Sequence, residues 1–157
     1  MKQLPSELLN YHKWANQTML SHIECLSENV FQIKAAGSFS ALADVFYHMY
    51  RADQIWFSRL SGKERNLANG FEDAKEAREH LTKASDEMIR LFKQRGEGSW
   101  TITYTDLRGE TFSNTSDEII FQTVNHGTYH RGNALTIIRQ LGHKGVSTDY
   151  LLYLRDQ

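Results

Sequence analysis

Val124-Asn125-His126-Gly127-Thr128-Tyr129-His130-Arg131-Gly132-Asn133 carries two histidines four residues apart, inside the clearest helical pattern of the chain. On a helix, residues i and i+4 lie on one face, one turn apart. Two imidazoles so placed can hold one metal ion between them. At about 100° per residue, His130 lies inside the apolar sector, in line with Ile119, Thr123 and Ile137. His126 is one step toward its edge. Both therefore point at a core or a pocket. Spacing alone leaves two readings open: core histidines bonded to their neighbours, or two ligands of one ion. Asn133 and Thr123 share the face and are candidates for orienting the imidazoles.

Around this stretch the pattern resolves into a helix from Thr115, which makes a capping box with Glu118, to about Leu141, with Gly142 as the stop. Its apolar sector holds Ile119, Ile120, Val124, Gly127, Ala134, Leu135, Ile138 and Leu141. Just upstream, residues 100–104 alternate with period two and are rich in β-branched and aromatic types, 105–109 form a turn, and 110–113 return. A hairpin thus precedes the last long helix. Three further helices are expected. The first covers 5–27, with Pro5 in its first turn, Leu4 packing from outside, and a stripe of Leu8, Ala15, Met19, Ile23 and Leu26. The second covers 39–60, with Ser38 as N-cap and Gly62 after its end. The third covers 73–95, between Asp73 as cap and Gly96 as stop. The tail, 147–157, is apolar enough to pack back on the bundle. The fold class is all-α: one domain over 1–157, a four-helix bundle with a long crossover connection and a small hairpin.

Composition narrows the function classes. Apolar residues are 40% and charged residues 24%, with a net charge of -1, so nothing in the overall charge attracts nucleic acid or an acidic membrane. No apolar run approaches the ~20 residues that span a bilayer, and the first residues lack a signal-peptide core. The lone cysteine, Cys25, admits no internal disulfide. A reducing cytoplasmic setting is the expectation.

A third histidine strengthens the metal reading. His48 lies on the flank of the second helix with the small residues Ala41 and Ala52 nearby, which leaves room for another group to approach. Three imidazoles leave open positions on a tetrahedral or octahedral ion, and an open site suits catalysis rather than structure. Asp53 interrupts the stripe between Met49 and Trp56. It is either a rim carboxylate with a structural bond or a group that orients a ligand and accepts protons. His12 is a pocket-wall imidazole, a fourth ligand or a proton carrier. Cys25 reads as an inert buried thiol, and Arg131 as pointing away from the core sector. His22, His80 and His143 read as structural or solvent-facing.

His126-Gly-Thr-Tyr-His130-Arg131-Gly132-Asn133 resembles the H-x-x-x-H-R-G-[QN] signature of the DinB family (the DinB/YfiT-like metalloenzymes). Phe46-Tyr47-His48-Met49-Tyr50-Arg51-Ala52-Asp53-Gln54-Ile55-Trp56 is similar to the family's helix-two motif of histidine, aspartate and aromatic. Tyr11-His12-Lys13-Trp14-Ala15-Asn16 is similar to its Y-x-x-W-A-N motif in helix one. The resemblance implies a divalent ion, zinc or nickel, held by His48, His126 and His130, and a homodimer. It also implies relatives of the kind that use low-molecular-weight thiols, such as mycothiol-dependent maleylpyruvate isomerase and bacillithiol S-transferases.

The expected function is therefore a metal-dependent enzyme on a small molecule, with a low-molecular-weight-thiol-dependent S-transferase as its narrower form and Asp53 as the candidate catalytic residue. Metal-dependent hydrolysis and a non-catalytic, damage-inducible metal-binding protein are the alternatives. Neither nucleic acid nor a membrane is an expected partner.

Overall fold

The computed structural model describes residues 4–26, 29–65, 67–96 and 98–156, and of Leu4 the backbone alone. Four long helices carry the fold: α1 (Leu4–Glu24), α2 (Leu42–Ser61), α3 (Ala74–Arg95) and α4 (Ser116–Gln140). A 3-10 turn at Val30–Gln32, the hairpin β1 (Thr101–Thr105) and β2 (Thr111–Thr115), and a short α5 (Tyr150–Arg155) complete it. The strands are antiparallel, with Thr101 opposite Thr115 and Thr105 opposite Thr111. The first helix ends at Glu24, short of the expected 27, with Cys25 in a turn and Leu26 in a bend; the packing of the Leu4 side chain lies outside the described residues.

The caps fall where the sequence places them, with one exception. Asp73 accepts from the Glu76 N–H, and Thr115 and Glu118 close a reciprocal capping box, so both helices start with satisfied donors. Gly62 ends α2 in the left-handed region, φ 71°, and its N–H donates to Ser58 O. The exception is the start of α2. Ser38 does not cap it; the N-cap is Ala41, which makes no side-chain cap bond. Ala35 N–H instead donates to Ser40 O at 2.9 Å, and the Ser40 hydroxyl donates to Asp44 at 2.6 Å. This local bonding holds residues 36–41 in bends outside the helix.

The buried apolar side chains form two clusters. One gathers Met19, Leu20 and Ile23 of α1, Leu42, Ala43, Val45, Phe46 and Met49 of α2, Ala77 and Leu81 of α3, and Ile137 and Ile138 of α4. The other gathers Leu9 and Ala15 of α1, Leu60 of α2, Met88 and Phe92 of α3, and Ile119, Ile120 and Val124 of α4. Each fully buried Leu or Ile contributes about 1.5–3 kcal/mol, so both layers hold the bundle. Passing between the layers, α1 and α4 run one way and α2 and α3 the other. The 62–73 connection therefore has to return the length of the bundle, which is the expected long crossover. α1 packs on α3 and α4, and α2 on α3 and α4, so α1 and α2 face each other diagonally across the core. Between the two apolar layers lies a third, polar one. It contains His12, Asn16, Asp53, Thr123, His130 and Arg131, all buried.

The lone cysteine corrects an expectation. Cys25 is exposed, not buried, because α1 stops at Glu24 and the residue after it falls in the turn.

Candidate metal centre

α2 and α4 are antiparallel neighbours, and this brings His48 against the His126/His130 turn. Ligand-capable atoms of His48, His126 and His130 all lie within 4.8 Å of one another. The ring centroids are 4.3 Å (His126–His130), 4.5 Å (His48–His130) and 5.0 Å (His48–His126) apart. Nε2 of His48 is 3.1 Å from Nε2 of His126. Two nitrogens each roughly 2.0–2.1 Å from a shared zinc stand about 3 Å apart, so the separation suits adjacent ligands of one ion. The Asn133 amide stands 3.2 Å from His130 Nδ1 and orients the ring; with the amide oxygen turned to accept from Nδ1–H, Nε2 would be free for an ion. Thr123 does not take part: its hydroxyl donates to Ile119 O at 2.9 Å within its own helix.

Metal ligation needs neutral imidazoles, and the surroundings favour them. Burial, then the neighbouring His126 and His48, bring His130 down to about 4. Burial, then the His48 charge, lowers His126 against an opposing pull from Asp53. Burial and the Arg51 charge lower His48. At neutral pH all three lone pairs are free for an ion.

Asp53 and His12 lie deeper and outside the ligand group. His12 Nε2 is 3.1 Å from Asp53 Oδ2, and both residues are buried. His12 Nδ1 is buried with no hydrogen-bond partner. With Nε2 paired to Asp53 and Nδ1 enclosed, neither ring nitrogen of His12 joins the histidine cluster. His12 is thus committed to Asp53 and does not supply a fourth ligand. Asn16 Nδ2 is 3.1 Å from the same His12 nitrogen, and its Oδ1 accepts from Arg131 Nη1 at 2.9 Å.

Arg131 departs most from the sequence reading. Expected to point outward, it is 1% exposed and among the largest fully buried side chains. α4 buries one face on α2 and another on α1, so its covered sector is wider than a single stripe suggests. Arg131 is on the α1 side. Besides Asn16 it donates to Thr128 Oγ1 (3.0 Å) and, more loosely, to the Tyr11 hydroxyl (3.4 Å). Tyr11 in turn donates to Thr148 O in the tail at 2.9 Å. Tyr11, Asn16 and Arg131 belong to this layer without being metal-ligand types. Their signal was the Tyr11/Asn16 spacing in helix one.

A sequence model of the DinB family matches residues 1–157. The chain belongs to the DinB family. It is 28% identical to protein DinB of Bacillus subtilis (strain 168) over 164 positions, covering 98% of this chain and 95% of that one. Its fold is similar to the crystal structure of a DinB-like protein from Bacillus cereus ATCC 10987, with a TM-score of 0.65 and 19% identity over 88% of this chain and 91% of that chain. The expected bundle, with its hairpin ahead of the last long helix, is the architecture found. Among the described residues, no helix is long and apolar enough to cross a membrane.

Proposed function

We propose that this DinB-family protein is a metal-dependent enzyme that acts on a small molecule and uses a low-molecular-weight thiol. The observation behind this reading is a cluster of three neutral imidazoles which, among the described residues, no fourth protein ligand joins. Zinc or nickel suits such nitrogen donors. Bound there, a divalent ion supplies a Lewis acid that makes a coordinated thiol or water more acidic.

The chain's own residues do the rest. His48, His126 and His130 fix the ion, and Asn133 fixes the orientation of His130. His12 holds Asp53 in place through Nε2. Asp53 accepts the proton released when the thiol ionises; its carboxylate acts on His126 and lies in a dry layer. The two apolar layers on either side keep bulk water from that carboxylate.

Elemental analysis of the purified protein against His48→Ala tests the base of the proposal. His48 is exposed, so its truncation leaves the packing intact. One zinc or nickel per chain in the wild type and a large loss in the variant are expected. Equal metal content in the two proteins would overturn it. Turnover that persists without any thiol would instead assign metal-dependent hydrolysis.

A further inference from the structure

The histidine cluster opens on one side. His48 is exposed, His126 half-buried and His130 buried, so the approach is along the outer seam between α2 and α4. Phe39, outside the helix because α2 starts late, sets its ring 5.5 Å from His48 and 5.3 Å, edge-on, from His130. Tyr129 sets its ring 4.9 Å from His130 and is 67% exposed. Two aromatic rings thus border the cluster: Tyr129 is exposed, and Phe39, half-buried, packs on the core with one side and keeps some surface toward the histidines.

Charges of both signs flank His48 on α2, Arg51 on one side and Asp44 on the other. Arg51 follows His48 by three residues on the same face of α2 and is exposed. Among the described residues no carboxylate lies within ion-pair distance of it. Its guanidinium rests 5.9 Å from the Tyr47 ring. One turn the other way stands Asp44, which accepts from Ser40, and the Ser40 hydroxyl is also 3.4 Å from Lys34 Nζ. Three neutral imidazoles leave a bound ion's charge uncompensated, and Arg51 adds to it. A cation drawn to the rings would be repelled by both.

We propose that the open position takes a small anion with a flat apolar body: its metal-binding head on the ion, the body against Phe39 and Tyr129, and the anionic group toward Arg51. Phe39 precedes α2 and Arg51 lies beyond His48, so ring and guanidinium bracket the cluster along the seam. The inference rests on the three-histidine metal reading and names the class of molecule that the site admits.

Cobalt-loaded protein gives the test, because a thiolate bound to cobalt has its own charge-transfer band. The probes are 4-mercaptophenylacetate, 4-ethylthiophenol, which keeps the ring and lacks the charge, and 3-mercaptopropionate, which keeps the charge and lacks the ring. Titration should show 4-mercaptophenylacetate binding roughly threefold or more tighter than each of the others, the range of one partly exposed ion pair or ring contact. Arg51→Met should abolish the preference over 4-ethylthiophenol, and Arg51→Lys should keep most of it. Tyr129→Ala should reduce the preference over 3-mercaptopropionate. Equal affinity for the three thiols on a cobalt-loaded protein, or an Arg51→Met variant with the preference intact, overturns the inference and leaves the metal reading standing. Failure to take up cobalt overturns both.

Discussion

Gly127 sits in the middle of α4, where a glycine ordinarily costs about 1 kcal/mol relative to alanine. Gly127→Ala should therefore stabilise the protein if the position were free. It is not free. A Cβ built there would lie 2.4 Å from His12 Cε1, 2.7 Å from His12 Nδ1 and 2.9 Å from Arg131 Nη1. Neither neighbour can move cheaply. The His12 ring is held by Asp53 at 3.1 Å, and Arg131 by Asn16 at 2.9 Å. Overpacking of a dense core costs about 1–3 kcal/mol. Disturbing a hydrogen bond to a charged group costs about 1.5–3 kcal/mol. Set against a propensity gain of about 1 kcal/mol, the net expectation is a loss of roughly 1.5–5 kcal/mol. For a chain of this length that lowers Tm by about 3–20 °C. Gly132, in the same helix, has nothing within 4 Å of its Cβ position and is exposed. Gly132→Ala is the control and should gain about 0.5–1 kcal/mol. Urea denaturation of both variants reads the two signs directly. If Gly127→Ala proves as stable as Gly132→Ala, the contact between α1 and α4 described above is wrong.

Two further outcomes follow from the same layer. Protons compete with metal for the three imidazoles, and the fold favours their neutral forms. His130 falls from 6.5 to about 4, so its contribution to stability is complete above pH 6.5 and is lost as pH falls toward 4. Metal-free protein should show a urea midpoint that is flat above pH 6.5 and declines below it, before the carboxylates titrate; a His130→Asn variant that declines just as steeply over that first stretch would refute the assignment. Arg131→Lys should be destabilised by about 2–3 kcal/mol, because an ammonium cannot span Asn16 and Thr128 as the guanidinium fork does. Arg131→Met should lose about 3–5 kcal/mol, since it also leaves buried Asp53 without one of its counter-charges. A Lys variant as stable as wild type on denaturation would show that the fork is dispensable.

The long helices were legible because apolar spacing and caps agreed. Thr115 with Glu118 and Asp73 with Glu76 set boundaries through bonds made within four residues, which a local pattern reports. The start of α2 was not legible for the opposite reason. Ser38 is a good capping residue, yet a competing turn through Ser40 wins, and no pattern at Ser38 announces it. The His126/His130 pair was legible from spacing, and His48 from its place on the flank of the second helix, although that flank is exposed in the fold. The bonding of His12 and Arg131 was not. It depends on α1 and α2 meeting diagonally across the core and on α4 being covered on two faces, which are tertiary facts.

The stretch from His126 to Arg131 is best understood as two i,i+4 pairs offset by one residue. His126 and His130 form one row on α4, and Gly127 and Arg131 form the next, about 100° around the helix. The first row faces α2 and meets His48. The second faces α1, where the missing side chain of Gly127 admits the His12 ring and Arg131 reaches Asn16. A single turn of helix therefore fixes two of the three clustered imidazoles and also the element that carries His12, which pairs with Asp53. Such a layer of buried polar groups is expensive, and an apolar layer of equal volume would serve stability at least as well. Arg131 Nε even remains buried without a partner. The cost is understandable if the layer's purpose is to hold Asp53 and the three imidazoles in one register, because sliding α4 by a residue against α1 and α2 would break both rows at once.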